Sequence, residues 1–291
     1  MLEIKRINDL QNDEVAYFVR LNENELKHYF EPEPEGIFIA ETPTVVERAL
    51  DGGYEPLSFL IEEKYLDTQA RGIIEKCRGY AESRNVAVPV YTAEMSVLSK
   101  LTGFNMTRGF LGAFKRKKAK EPEEIIRNAH RIVILEHVEN PTNIGAIMRS
   151  AAALSIDALL LTRGCADPLQ RRAIRTGVGT AFQIPWAYIE DSKEWQWDKN
   201  GVKKLHEFGF KTAALALRND TVSIGDGRLK EEERLAILMG NEGRGLSEQT
   251  IAASDYTVKI PMGHGVDSLN VAAASAIAFW ELGKTCFYRG K

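Results

Sequence analysis

The sequence predicts an α/β protein built on a mostly parallel sheet, and three observations carry that expectation. Short apolar runs such as RIVIL, ALLL and LAILM are continuous rather than alternating, as in strands buried on both faces. These runs alternate with helical patterns, which favours parallel pairing through helical crossovers. Several of them end in polar or glycine-rich loops, and ligands of such sheets bind beyond the carboxyl ends of the strands.

With 291 residues the chain exceeds one ordinary domain, and two are expected. In the first part, GIFIAETPTVVERALDGG reads as strand, turn and an amphipathic helix carrying Val45, Val46 and Leu50. LSFLIEE then reads as strand, TQARGIIEKCRGYAESRN as helix and VPVYTA as strand. From Met95 to Lys120 there are seven cations (Lys100, Arg108, Lys115, Arg116, Lys117, Lys118, Lys120) and no Asp or Glu. Phe104, Phe110 and Phe114 share that window. Cations beside aromatics suit phosphate contact and base stacking. The same residues also read as a solvated tether and as core phenylalanines. The charge changes sign at EPEE, and a charge block ending at a proline marks a boundary. The expected organisation is a smaller N-terminal α/β domain over residues 1–117, a linker over 118–127 and a larger domain over 128–291.

The larger domain begins with RIVILEHV as strand, then NPTNIGAIMRSAAALSI as helix. Asn143 is expected to cap a helix starting at Ile144, with Pro141 closing the preceding strand. DALLLT (strand), DPLQRRAIRTGVGTA (helix), FQIPWAYI (strand), VKKLHEFG (helix) and KTAALAL (strand) continue the alternation. AILM, the helical QTIAAS, YTVKIPM and a closing helix in VAAASAIAFWELG complete it.

Hydrophobic residues at 44% and charged residues at 27% are ordinary for a soluble globular chain. Without an apolar run of roughly 20 residues, or a basic-then-apolar start in MLEIKRINDL, no membrane span or signal is expected, and the cytoplasm is the expected location. A net charge of −3 argues against nonspecific coating of nucleic acid while permitting a local basic patch. Cys77, Cys165 and Cys286 are far apart without a CxxC pair and read as reduced thiols. The five histidines form no HExxH, so no metal site is expected, and His264 between glycines reads as a turn residue.

Three loops follow strands: ENPTNIG, GNEGRGLS and PMGHGVDSLN. In the second, Gly240, Gly243 and Gly245 suit either a tight turn or close approach of backbone to a ligand. Their order, GxxGxG, differs from the dinucleotide fingerprint GxGxxG, and no GxxxxGK followed by Ser or Thr occurs. Glu242 and Arg244 beside them favour a site. Arg149 follows Asn143 by six residues, a rotation of about 600° read as nearly in phase after two helical turns. An arginine in that apolar context needs an anionic or acceptor partner if buried. It reads as a functional group, a surface residue, or the ion-pair partner of an acid such as Glu242.

In this order and at these separations, NPTNIGAIMRSAAAL, ILMGNEGRGLS and IPMGHGVDSLNVAAASAIAFWE resemble the three signature motifs of the SpoU (TrmH-type) RNA 2′-O-ribose methyltransferases of the SPOUT superfamily. The resemblance covers roughly residues 130 to 285, and DPLQRRAIRTGVGTAFQIPW is similar to the family's middle segment. The N-terminal part more loosely resembles the ribosomal-protein-like RNA-binding module of many members.

The resemblance implies a parallel-sheet SPOUT domain whose C-terminal segment threads a trefoil knot, an exception to the rule against threaded chains. It implies S-adenosyl-L-methionine bound in a bent shape and a homodimer. Cofactor binding maps onto Gly240, Ile260, Met262 and Leu269. Catalysis maps onto Arg149, supported by Asn143, Glu242, Ser268 and Asn270, with Glu242 orienting or pairing with Arg149, including across the dimer. Ala272 and Ala273 stand where members often have a more polar pair, a departure that leaves the catalytic positions intact. The small residues from Ala272 to Ala276 and Ala278 suit close packing, at a dimer interface or within the core. The implied activity is methylation of a ribose 2′-hydroxyl in structured RNA, ribosomal ahead of transfer RNA because of the separate N-terminal module. The alternatives are a noncatalytic RNA-binding or ribosome-assembly protein on the same scaffold, and base methylation.

Overall fold

The structure, a computed structural model, describes residues 2–31, 35–99, 109–218, 220–266 and 268–283. Lys100, Phe104 and Arg108 of the basic window, and Cys286, lie outside the described residues. Two compact units are present: Met1–Lys118 with Leu169–Phe182, and Ala119–Pro168 with Gln183–Lys291.

The first unit contains strands β1 (Leu2–Arg6), β2 (Ile37–Glu41), β3 (Pro56–Glu62), β4 (Val88–Ala93) and β5 (Phe110–Lys115) in the order β1-β4-β3-β5-β2. Both β1 and β3 run parallel to β4, while β5 is antiparallel to β2 and β3. Strands β1 and β5 add to those the sequence predicts. Within β5, Phe110 and Phe114 are buried, and Phe114 stacks on Phe38 with centroids 5.4 Å apart. The core reading of these two phenylalanines is therefore the correct one, and neither is open to stack on a base. Lys115 and Lys117 lie over the rings of Phe30 and Tyr54.

Residues 169–182, which sequence alone assigns to the larger domain, are part of this first unit. Arg171 pairs with Glu41 at 2.9 Å, Arg48 donates to the Val178 carbonyl at 2.5 Å, and Phe182 packs 5.1 Å from Phe38.

The second unit is a seven-stranded parallel sheet. Its strands are β6 (Arg131–Leu135), β7 (Ala158–Leu161), β8 (Trp186–Tyr188), β9 (Lys211–Leu215), β10 (Val222–Ser223), β11 (Leu235–Met239) and β12 (Tyr256–Lys259), ordered β10-β12-β9-β11-β6-β7-β8. The continuous apolar runs β6, β7 and β11 are buried along their whole length, as two-sided packing requires. Between the units' sheets in sequence, Pro122–Ile126 form a short helix inside the 118–127 stretch. There Ile126 is fully buried in the second unit's core and Glu123 accepts a 2.6 Å bond from Ser192 Oγ.

Two helices position the site. The first spans Pro141–Ala153, so the expected cap is corrected: Asn140 is the N-cap, accepting from the Thr142 N–H at 2.9 Å, and Pro141 opens the helix. Proline is favoured there because its fixed φ suits a helix and its missing N–H would have had no partner. Asn143 consequently sits one turn inside, buried. The second helix, Val271–Leu282, is capped by Asn270 and packs against the first. Its Val271, Ser275, Ala278, Phe279 and Leu282 are buried, while Ile277 and Trp280 are 40% and 71% exposed, leaving an apolar face open. Among the described residues no helix is long and apolar enough to cross a membrane.

Candidate active site

Because every strand of the second sheet is parallel, the loops following β9, β11 and β12 emerge on one rim. They enclose a cavity of about 460 Å³, within the ordinary range of small-molecule sites. Gly240, Ile260, Met262 and Leu269 all line it, as do Glu242 and Ser268. Asn143, Asn270 and Arg149 do not.

The turn after β11 is organised by Asn241. Its Oδ1 accepts from the Gly243 and Arg244 N–H groups at 2.7 and 3.2 Å, and its Nδ2 donates to the His137 carbonyl at 2.9 Å. Gly245, with φ of +70°, closes the loop by donating to the Asn241 carbonyl at 2.9 Å. A Cβ at Gly240 would collide with the Gly245 carbonyl, so this position requires glycine. His264 has φ of +57° and Gly265 φ of +69°, which makes the third loop a left-handed turn with His264 exposed.

Three of the expected site residues form one hydrogen-bonded chain. Asn270 Oδ1 caps its helix by accepting from the Ala272 N–H at 2.9 Å, which leaves its Nδ2 to donate to Asn143 Oδ1 at 3.2 Å. Asn143 Nδ2 then donates to Glu242 Oε1. Each amide thus has its orientation set by its neighbour, from a helix cap to a carboxylate on the cavity wall.

Arg149 departs from its expected place. Six residues turn a helix through about 600°, about 120° short of two full turns, so Asn143 and Arg149 face different ways. Asn143 is buried, whereas Arg149 is exposed and forms no hydrogen bond or ion pair with a described residue. The pairing of Glu242 with Arg149 is absent within the chain, since Asn143 holds the carboxylate.

Sequence reasoning missed Glu136, which lies at the end of β6 and is 3% exposed. It accepts from Trp197 Nε1 at 2.9 Å, Thr250 Oγ1 at 2.7 Å and the Ser247 N–H at 2.7 Å, fixing the exit of the glycine turn. A carboxylate directly after the apolar run Ile132–Leu135 was the available signal, because a buried charge needs partners. Arg218 and Glu248, also missed, pair across the cavity rim. The two thiols described, Cys77 and Cys165, are buried and free, and burial pushes them up to about 12 and about 11.

Comparison with known proteins adds to this geometry. A sequence model of the SpoU rRNA Methylase family matches residues 130–280. An uncharacterised tRNA/rRNA methyltransferase of Mycobacterium bovis is 34% identical over 251 residues, 86% of this chain and 82% of the relative. The 23S rRNA (guanosine(2553)-2′-O)-methyltransferase RlmP of Bacillus subtilis is 29% identical over 161 residues, 55% of this chain and 61% of the relative. The AdoMet-bound rRNA methyltransferase of Sinorhizobium meliloti shares the fold with a TM-score of 0.72 at 23% identity, over 96% of this chain and 97% of that one. The SpoU methyltransferase AviRb of Streptomyces viridochromogenes, in complex with AdoMet, does so with a TM-score of 0.71 at 23% identity, over 90% and 92%. These matches define a class, the RNA methyltransferases. Within it, the chain belongs to the SpoU rRNA methylase family.

Proposed function

We propose that this protein transfers a methyl group from S-adenosyl-L-methionine to a ribose 2′-hydroxyl of structured RNA, ribosomal ahead of transfer RNA, and works as a cytoplasmic homodimer. The observation that carries the reading is the chain Asn270–Asn143–Glu242, which ends on the wall of the cavity lined by Gly240, Ile260, Met262 and Leu269. RlmP, whose name places its methylation on a 2′-oxygen, supports the choice of ribose over base.

The residues present fit the cofactor. A glycine turn that admits no side chain at Gly240 offers bare backbone, and Leu269 and Met262 offer apolar surface, as an adenosyl group requires. When bound, the cofactor supplies an electrophilic methyl group. The chain's own residues must align the hydroxyl and stabilise the charge left as its proton departs. Arg149 serves this second task. As a guanidinium, with five N–H donors and no acceptor, it is a poor base but a strong donor to a developing alkoxide. Ser268 and Glu242 orient the sugar beside it.

Arg149 does not line its own chain's cavity, so in this reading a second copy delivers it. The exposed Ile277 and Trp280, on the helix packed against the one that carries Arg149, form the apolar surface for that copy. The trefoil knot belongs to the same proposal. Its support is the parallel order β12-β9-β11-β6, which brings the loops after β11 and β12 to one rim. The N-terminal unit is proposed as the RNA-holding module.

Calorimetry with S-adenosyl-L-methionine separates this reading from the noncatalytic scaffold, for which no binding is expected. Mass mapping of nucleosides from RNA of cells with and without the protein then tests the position. A lost methyl on a base rather than a ribose would overturn the 2′-O reading.

A further inference from the structure

We infer that Arg244 is a substrate-binding residue that grips an RNA phosphodiester next to the ribose being modified. The inference rests on the function proposed above and concerns a residue which that function leaves unused. The side chain of Arg244 is exposed and lines the cavity. Its attachment is rigid: its own N–H is held by Asn241 Oδ1, Asn241 is held to the His137 carbonyl, and Gly245 locks the turn behind it. The two carboxylates on the cavity wall are already engaged, Glu242 by Asn143 and Glu248 by Arg218. The guanidinium of Arg244 is left without a hydrogen bond or ion pair among the described residues. A fixed backbone carrying an unpaired, solvent-facing guanidinium suits an anion that arrives with the ligand.

Two anions could arrive: the cofactor's α-carboxylate and the RNA phosphate. The exposure of Arg244 favours the phosphate, because a group facing solvent is open to a macromolecule passing across the rim. Sequence position agrees, since Glu242 lies only two residues earlier and ends the chain of bonds proposed to orient the target sugar. Phosphates flank every ribose, and a planar fork of N–H donors matches two of their oxygens.

The test uses the full-length protein, S-adenosyl-L-methionine and unmodified ribosomal RNA transcribed in vitro. Arg244→Ala is expected to raise the RNA Kd and KM about 5- to 10-fold, with kcat changing far less, and to reduce the slope of log K against log salt by about one. Arg244→Lys restores that slope, because the charge returns, while recovering only part of the affinity. Cofactor affinity measured by calorimetry stays at the wild-type value. Unchanged RNA affinity and salt slope in Arg244→Ala would overturn the inference, and so would weakened cofactor binding, which would assign the residue to the carboxylate. A wild-type protein that binds this RNA without methylating any of it would instead defeat the proposed function.

Discussion

The two rims of the parallel sheet in the second unit carry similar residues in opposite conditions. At the amino rim, Arg131 is 2% exposed and donates to the carbonyls of Leu282 at 2.9 Å, His130 and Glu233 at 3.1 Å, and Lys230 at 3.3 Å. Burial holds its pKa below the ordinary arginine value. Arg234 likewise donates to the carbonyls of Ala129, Phe208, Ile126 and Arg127, over the ring of Phe210. At the carboxyl rim Arg244, and on the exposed side of the Pro141–Ala153 helix that leads away from it Arg149, have no such partner among the described residues. The difference separates cations whose hydrogen bonds maintain the fold from cations left open to a ligand. It also links the rims, because Arg131 grips the last turn of the helix whose first residue is capped by Asn270.

Arg131→Ala should break the amino rim most severely. It removes a buried side chain and leaves several carbonyls unsatisfied, a loss of about 3–5 kcal/mol seen as a lower urea midpoint. A midpoint equal to wild type would erase the contrast between the rims. Arg149→Ala is the mirror experiment. Its stability should change by less than about 0.5 kcal/mol, as for an exposed unpaired residue. Its kcat should fall by about 10²–10³, equivalent to about 3–4 kcal/mol of transition-state stabilisation, with cofactor binding retained. Retained turnover would remove Arg149 from the mechanism.

The contrast also explains what was legible in the sequence. The strands β6, β7 and β11 were readable because two-sided burial writes itself as an unbroken apolar run. Ordered motifs located the cavity, since Gly240, Ile260, Met262 and Leu269 each sit on a loop leaving a strand at the carboxyl rim. Strand β5 was hidden because its short buried run, Phe110 to Phe114, lies inside a window that the neighbouring lysines and arginines mark as basic. Asn143 was misread as a cap because Asn140, three residues earlier, competes for the role, and Pro141 favours the earlier start. Arg131 and Glu136 escaped notice because uncharged groups, mostly from distant segments, satisfy their hydrogen bonds, and such partners leave no local pattern. The docking of residues 169–182 onto the first unit was equally invisible, resting as it does on Arg171 meeting Glu41 across 130 positions.

Gly240→Ala probes the carboxyl rim at its tightest point. The added methyl must displace the Gly245 backbone, with an overpacking cost of about 1–3 kcal/mol. Calorimetry should show at least about a tenfold loss of S-adenosyl-L-methionine affinity, since each 1.4 kcal/mol is a factor of ten. If affinity is unchanged, the glycine turn does not touch the cofactor.

The smallest expected effect lies at the amino rim, in Asp255. Burial alone would raise its pKa, yet bonds from Lys211 Nζ at 2.8 Å, from Thr212 N–H and Oγ1 at 2.9 and 2.8 Å, and from His206 at 2.8 Å prevail and pull it down to about 2 from an ordinary 3.8. A carboxyl depressed on folding stabilises the native state fully above its unfolded value and loses that contribution as pH falls through the folded one. Asp255→Asn should therefore be less stable than wild type by about 1 kcal/mol at neutral pH, a figure reduced for solvent screening of a partly exposed group. The gap in urea midpoint should close as pH falls from about 4 towards 2, while cofactor affinity at neutral pH stays the same in both proteins. A gap that persisted at pH 2 would mean that the amide fails sterically rather than electrostatically. Altered cofactor affinity at neutral pH would instead mean that the two rims do not divide structure from chemistry in this way.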